Sequence, residues 1–338
     1  MPSLRRLMMI TSISTSPCLR FLFVFLLLIP SAFLSKAQLS SQHAAPFSGL
    51  ETGVQVEKDA LLTFHSTVNE VNVVFVAMDK RGRFIRHLSE TDLRILDDHK
   101  PPAAITRFHQ ETDLPLYLGL LIDVSGSIDS RFIFEQNIAI GFMKHTIRTG
   151  SDQAFITGFN KESYLAQDFT DNTQLLGEGI RKLKDGGGTA LYDAIYHTCQ
   201  EKFSADRSQS PARNAIVIIS DGEDNLSEFS LAQAIEMAMR TDVVVYAIST
   251  NDTGQILHGD RVLARIAEAT GGRFFLPLNM NGISASFASI EDELHSEYAV
   301  SYRPAGFRFD GKYRPIEISV LRKNTRVRVR PGYFAPVP

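Results

Sequence analysis

The chain has 338 residues, of which 44% are apolar and 22% charged, and this balance is typical of a globular protein long enough for more than one domain. Its formal net charge of -3 argues against nucleic acid or an anionic membrane surface as the partner, because both select basic proteins. It contains only two cysteines, Cys18 and Cys199, which excludes a disulfide-rich scaffold.

Residues 1–37 have the pattern of a signal peptide. Their first part carries three arginines and no acid, the apolar stretch FLFVFLLLIP follows, and Ser35 and Ala37 are small residues at the positions that signal peptidase reads. The apolar stretch is shorter than a transmembrane helix of roughly 20 residues. We therefore expect cleavage after Ala37 and a secreted, periplasmic or other extracytoplasmic location. Membrane contact is expected only if the leader is retained as an anchor.

Cleavage would make the mature chain more acidic and would leave Cys199 without a cysteine partner. The stability of such an exported protein must come from core packing or from a bound ion. Residues 38–60 show little periodicity and predict a flexible spacer. Residues 61–112 predict the first part of a β module, since short apolar strands alternate there with turn-rich segments.

Residues 113–290 alternate strands with helices. The compact runs LYLGLLID, QAFITGF, NAIVIIS and DVVVYAIS are typical of strands covered on both faces. Ser230 and Gln233 form a capping box at the start of one helix, and Gly271 ends another. This pattern predicts an α/β domain, a doubly wound and mainly parallel sheet with helices on both faces, similar to a Rossmann fold.

Residues 291–338 return to β character after a helix that we expect from Ile283 to His295. Neither flanking β segment has enough strands to bury its own core. We therefore infer that the two segments pair into one discontinuous β-sandwich-like module, into which the α/β domain is inserted.

The last β segment contains TRVRVR, in which arginines and valines alternate. We predict a half-buried strand with its valines inward and its arginines in solvent. A basic binding ribbon is the alternative. The arginines are Arg326, Arg328 and Arg330.

Oxygen-bearing side chains gather where the predicted parallel strands end. Asp123, Ser125 and Ser127 lie in DVSGS, Thr189 ends GGGT, and Asp221 follows NAIVIIS. Ligands of open α/β sheets bind beyond the carboxyl ends of the strands. Oxygen donors suit Mg²⁺, Mn²⁺ or Ca²⁺, and a cation would offset the cost of a carboxylate at the end of a buried strand. Helix capping by Asp123 and Ser125 is the alternative.

This set resembles the metal-ion-dependent adhesion site of von Willebrand factor A domains. The segments D-x-S-x-S at 123–127, GGGTAL and ISDGED match that site in order and approximate spacing at all five positions, and the resemblance covers roughly residues 113–290. The flanking β segments are similar, more loosely, to those of bacterial secreted proteins with such a domain.

The resemblance implies a role for each residue. Ser125 and Ser127 would bind the ion directly, Thr189 would join them when a ligand is bound, and Asp123 and Asp221 would act largely through water. The ion, Mg²⁺ first and Mn²⁺ or Ca²⁺ next, would keep an open coordination place for an Asp or Glu side chain of a protein or peptide partner. We therefore expect an exported, non-enzymatic protein-binding or adhesion protein.

Two other functions use the same ion. One is a Mg²⁺-dependent hydrolase, although Ser125 stands where its second acid is wanted. The other is a structural envelope protein that the ion only stabilises. Nucleotide binding is not expected, because Ala190 and Leu191 stand where a phosphate loop has Lys and Ser or Thr.

Two further pairs of residues near these motifs have ordinary explanations. His197 and Cys199 lie two apart on a predicted helix, so they should face different directions, with Cys199 buried. Glu223 and Asp224 are expected to be solvated loop acids, and an extension of the ion site is the alternative.

Overall fold

The computed structural model describes residues 70–110, 114–126, 130–184, 186–204 and 212–337. The predicted leader and spacer, and Ser127 of the candidate site, lie outside these residues. All described residues belong to one compact unit, His65–Pro338. None of the helices among them is both long and apolar enough to cross a membrane.

Strands and helices are numbered here in chain order over the described residues. The strands are β1 Val71–Asp79, β2 Leu93–Asp97, β3 Ala104–Gln110, β4 Leu116–Asp123, β5 Gln153–Phe159, β6 Ser163–Thr170, β7 Arg213–Ser220, β8 Val243–Ser249, β9 Phe274–Phe275, β10 Glu297–Arg303, β11 Tyr313–Val320, β12 Thr325–Val329 and β13 Gly332–Phe334. The helices are α1 Ser130–Thr146, α2 Thr173–Arg181, α3 Leu191–Lys202, α4 Leu231–Arg240, α5 His258–Thr270 and α6 Met280–Leu294.

The largest sheet has the strand order β6-β5-β4-β7-β8-β9. Strands β5, β4, β7, β8 and β9 run parallel, and the edge strand β6 is antiparallel to β5. The inner strands are almost entirely buried because helices cover both faces, which explains their continuous apolar sequences. The predicted mainly parallel α/β sheet is confirmed.

Two helical layers enclose this sheet. Helices α1, α2 and α6 pack on the face that carries Leu118 and Leu120, and α3, α4 and α5 pack on the face that carries Leu121. Successive residues of β4 thus point into opposite cores. Each fully buried Leu or Ile side chain contributes about 1.5–3 kcal/mol to folding, so the two cores hold the strand ends in fixed positions.

The helix ends confirm the capping signals in the sequence. Ser230 accepts a hydrogen bond from the Gln233 backbone at the start of α4, and Gly271 ends α5 with a φ of 85°. Helix α6 begins at Met280, three residues before the predicted start, because Asn279 caps it by accepting from the Gly282 backbone N–H.

The β segments on either side of the α/β sheet pair with each other. Strand β1 lies between β10 and β12, and β3 completes this antiparallel sheet on the other side of β10. A second sheet has the order β13-β11-β2. Apolar side chains of both sheets, among them Val73, Phe75 and Ile318, share one core. The inferred discontinuous β-sandwich-like module is confirmed.

The arginines of β12 and the residue after it differ from the prediction. Arg326 is exposed, as expected. The expectation of solvation is wrong for the other two: Arg328 forms an ion pair with the fully buried Glu293, and Arg330 pairs with Asp242. These two side chains face the α/β domain, whereas the alternating valines face the core of the β module. The strand is therefore packed on both faces.

A second buried ion pair lies close to the start of β10. The Arg213 guanidinium donates to Oε2 of Glu297 at 3.0 Å and to the Leu294 carbonyl oxygen at 2.6 Å. The Tyr246 hydroxyl donates to the other carboxylate oxygen of Glu297 at 2.9 Å, and burial raises the pKa of this tyrosine. These contacts join α/β strands to the chain that returns to the β module.

Candidate metal-ion site

The sheet places four of the five predicted ligands at its carboxyl edge. Asp123 is the last residue of β4, with Ser125 just beyond it, and Asp221 follows the adjacent parallel strand β7. Thr189 lies in the loop that leads into α3.

Asp123 is held by two neighbours. Its Oδ2 accepts a hydrogen bond of 2.6 Å from the Ser220 hydroxyl, and its Oδ1 accepts one of 3.0 Å from the Ser125 backbone N–H. Burial raises the pKa of Asp123 despite these hydrogen bonds, and the nearby Asp221 charge raises it further. Among the described residues, no Lys, Arg or His forms an ion pair with this carboxylate. The site therefore concentrates negative charge in a partly buried position.

Ser220 is a site residue that was not predicted from the sequence. It is fully buried at the end of β7, where its Oγ donates to Asp123 and accepts from the Gly222 backbone N–H at 3.0 Å. One hydroxyl thus ties the β4 carboxylate to the loop that carries Asp221. The only signal in the sequence is a small hydroxyl residue immediately before the aspartate of ISDGED.

Backbone hydrogen bonds fix the loop of Thr189 against the loop of Asp221. The Thr189 N–H donates to the Asn225 side chain at 3.0 Å, and the Thr189 carbonyl accepts from the backbone N–H groups of Asn225 and Leu226 at 3.0 and 3.1 Å. The Gly186 N–H donates to the Val124 carbonyl at 2.8 Å, which links the same loop to β4. Hydrogen bonds therefore connect the three predicted loops. The role of Asn225 as an acceptor from the Thr189 N–H was not predicted from the sequence.

The two acids that follow Asp221 in its loop, Glu223 and Asp224, accept hydrogen bonds from the first turns of neighbouring helices. Asp224 accepts from the Tyr192 backbone N–H at 3.0 Å in the first turn of α3, and from the Ser227 hydroxyl at 2.6 Å. Glu223 accepts from the Gly259 backbone N–H at 3.0 Å in the first turn of α5. Glu223 is exposed, as expected, whereas Asp224 is partly buried, and each acid anchors its loop to the start of a helix.

The donor set fits a hard cation. Within the described part of the chain, no three His, Cys, Asp or Glu side chains are arranged to hold a metal ion, so the candidate site relies on hydroxyl oxygens beside its two carboxylates. No described side chain forms a hydrogen bond with the Thr189 hydroxyl. Carboxylate and hydroxyl oxygens are ligands that Mg²⁺, Mn²⁺ and Ca²⁺ accept.

His197 and Cys199 take no part in this site. Cys199 is fully buried, and burial raises the pKa of its thiol to about 12, so it is unreactive. His197 is exposed, with its ring edge-on to the ring of Phe229. The predicted separation of these two residues is confirmed.

Comparison with known proteins gives one family. Residues 118–223 match the family model described as the von Willebrand factor type A domain. A sequence search of curated proteins returns no match.

Several solved structures are similar. They include von Willebrand factor type A from Catenulispora acidiphila, with 12% identity and a TM-score of 0.45 over 66% of this chain and 67% of that one. The PilB minor pilin from Streptococcus sanguinis has 14% identity and a TM-score of 0.43 over 59% and 63%. Proximal thread matrix protein 1 from the mussel byssus, with a zinc occupied MIDAS motif, has 16% identity and a TM-score of 0.46 over 57% and 48%.

The chain thus spans about half to two thirds of the length of these structures. The family match, in contrast, lies within the α/β domain and includes Asp123, Thr189 and Asp221. Over residues 118–223 the family match therefore confirms the predicted resemblance to von Willebrand factor type A domains.

Proposed function

We propose that the protein binds a divalent cation at the carboxyl edge of its parallel sheet and uses it to recognise an acidic side chain of a protein or peptide partner. The ligand set is Asp123, Ser125, Ser127, Thr189 and Asp221. The Asp123 carboxylate carries this proposal, because it is partly buried, lies close to Asp221 and forms no ion pair with a described cationic side chain. A divalent cation would offset the cost of that arrangement.

Contacts within the protein hold the proposed ligands of the ion in place. Ser220 and the Ser125 backbone N–H hold Asp123, and the backbone contacts of Thr189 hold its loop against the loop of Asp221. Hydroxyl oxygens add no charge to that of the two carboxylates. The bound ion would supply positive charge and an open place for one further carboxylate.

Mg²⁺ is the proposed ion, with Mn²⁺ and Ca²⁺ as alternatives, because all the donors are hard oxygens. Zinc occupies the MIDAS motif of the mussel protein, so zinc belongs in the same measurements. The proposal also includes export through residues 1–37 and a binding role without catalysis.

Thermal unfolding in EDTA, Mg²⁺, Mn²⁺ and Zn²⁺ tests the ion site. At ten times the dissociation constant, binding adds about 1.4 kcal/mol, which raises the Tm by about 2–4 °C. Asp123→Asn should remove this shift at nearly unchanged side-chain volume. Asp252→Asn is the matched control, since Asp252 is exposed in the loop after β8 at the same sheet edge. Superimposable curves with and without ions would contradict the metal site.

Thr189→Ala tests partner recognition. The substitution removes the hydroxyl but keeps the backbone hydrogen bonds of the loop, so the fold should persist while ion-dependent capture of a partner from the exporting cell is lost. Thr189→Ser should restore capture. If the ion stabilises the protein but capture is the same in EDTA, the ion is only structural. Ion-dependent turnover of phosphate esters would instead favour a hydrolase.

A further inference from the structure

Large apolar side chains are exposed in the loops that follow β7, β8 and β9 and at the first residue of α6. Because β4, β7, β8 and β9 are parallel neighbours, these loops lie at the same sheet edge as the candidate ion site. We call these residues the apolar strip: Leu226, Ile256, Leu257, Leu278 and Met280, with exposed fractions of 51%, 60%, 42%, 60% and 42%.

The strip begins directly beside Thr189. The Leu226 backbone N–H donates to the Thr189 carbonyl oxygen at 3.1 Å. The Leu226 side chain lies against Gly188, where an added Cβ would be 2.4 Å from Leu226 Cδ1. A ligand carboxylate at the ion would therefore have an exposed leucine as its neighbour.

The strip continues past Asp221 through the start of α5. Gly259 touches the loop of Asp221 so closely that an added Cβ would lie 2.1 Å from the Asp221 carbonyl oxygen. Leu257 caps the same helix two residues earlier, and its N–H donates to Oδ2 of Asp260 at 2.7 Å. Asp260 is fully buried and also accepts from Ser249 and Asn251. Leu257 is thus exposed on a firmly held loop.

We infer that the partner is a protein segment in which apolar side chains adjoin the acidic residue that reaches the ion. This inference rests on the proposed function and specifies its ligand. Single exposed leucines are common on protein surfaces, but here exposed apolar side chains occur in the loops after three neighbouring strands, at the sheet edge that carries the candidate ion site, and this grouping favours an interface there. The cation matches the acid in charge, and the uncharged strip favours apolar neighbours over charged ones.

Synthetic peptides test the inference directly. One peptide carries a glutamate flanked by leucines, and a second carries the same glutamate flanked by serines. In Mn²⁺, fluorescence anisotropy should show about tenfold tighter binding of the leucine peptide, the effect expected from partly burying one or two leucine side chains. EDTA should abolish the binding of both peptides.

A double variant, Leu226→Ser with Ile256→Ser, should remove the advantage of the leucine peptide. The matched control is Leu321→Ser, which changes a leucine that is 67% exposed in the turn between β11 and β12 of the β module. That control should bind both peptides as the unchanged protein does.

Each contrary result has one meaning. Equal affinity for the two peptides, or a double variant that keeps the preference, overturns the apolar strip and leaves the ion site intact. Binding of the leucine peptide that persists in EDTA also overturns it. No binding of either peptide despite a normal Mn²⁺ shift in Tm contradicts the proposed recognition of an acidic side chain, and the apolar strip falls with it. If Mn²⁺ shifts no Tm at all, the proposed function itself fails.

Discussion

Ser220 and Ser249 end adjacent parallel strands with the same hydrogen-bonding pattern. Ser220 donates to Asp123 at 2.6 Å and accepts from the Gly222 N–H, and Ser249 donates to Asp260 at 2.6 Å and accepts from the Asn251 N–H. Both hydroxyls are fully buried. Only Ser220 donates to a carboxylate of the candidate ion site. Ser249 therefore serves as a control for the stability lost when such a hydroxyl is removed.

We predict that Ser220→Ala and Ser249→Ala both lower the free energy of unfolding by about 1–3 kcal/mol, because each leaves buried groups without a partner. Only Ser220→Ala should also weaken the Mg²⁺-induced rise in Tm, since Asp123 then loses the donor that orients it. Urea unfolding followed by thermal scans with and without Mg²⁺ checks both parts. An equal response of the two variants to Mg²⁺ would mean that Ser220 is purely structural.

Helix α5 and the loop after β7 meet through two glycines. Gly222 has a φ of +79°, a conformation that other residues rarely adopt, and an added Cβ there would lie 2.2 Å from the Gly259 carbonyl oxygen. Glu223 fixes the same contact by accepting from the Gly259 N–H. The position of Asp221 therefore depends on an element that contributes no ligand of its own.

For this contact we predict that Gly259→Ala displaces the loop and costs about 1–3 kcal/mol, as overpacking against backbone does. It should also weaken ion binding in isothermal titration with Mn²⁺. Gly141→Ala in α1 is the control, because an added Cβ there meets nothing within 4 Å, and alanine should stabilise the helix by about 0.5–1 kcal/mol. Normal Mn²⁺ affinity in Gly259→Ala would show that the loop adapts.

The elements differ in how far the sequence predicts them. The inner strands β4, β5, β7 and β8 were recognisable because burial on both faces requires unbroken apolar runs. The edge strands β6 and β9 were not: β6 is half-exposed and carries polar residues, and β9 has two residues. The positions of Asp123 and Asp221 followed from strand ends, and that of Thr189 from the loop before α3. Ser220 and Asn225 could not be assigned a role from the sequence, because their roles depend on contacts between loops.

Across the whole molecule, Arg330 joins the β module to the α/β domain. It pairs with Asp242 before β8, donates to the Asn72 carbonyl of β1 at 2.7 Å, and donates to the Met239 carbonyl of α4 at 3.4 Å. The sequence could not reveal this role, because a strand that alternates Arg with Val has the same pattern whether its arginines face water or another domain.

We predict that Arg330→Met lowers the free energy of unfolding by about 1–3 kcal/mol, since the buried Met239 carbonyl and the partly buried Asn72 carbonyl lose their donor. Arg326→Met is the matched control, because Arg326 is exposed two positions before Arg328 on the same strand, and it should change stability by less than about 0.5 kcal/mol. Guanidinium unfolding of the two variants gives the comparison. Equal stabilities would show that the junction does not depend on Arg330.

The two segments of the β module are much farther apart in sequence than the paired strands of the α/β sheet, such as β4 and β7. Leu88 and Tyr298, which share a hydrogen bond, are 210 positions apart in the sequence, so synthesis at about 5–20 residues per second separates them by on the order of 10–40 s. The α/β sheet can assemble during that interval, whereas β1 must wait for β10 and β12. A chain truncated before β10 therefore exposes an unpaired apolar strand, which makes premature termination a direct route to aggregation.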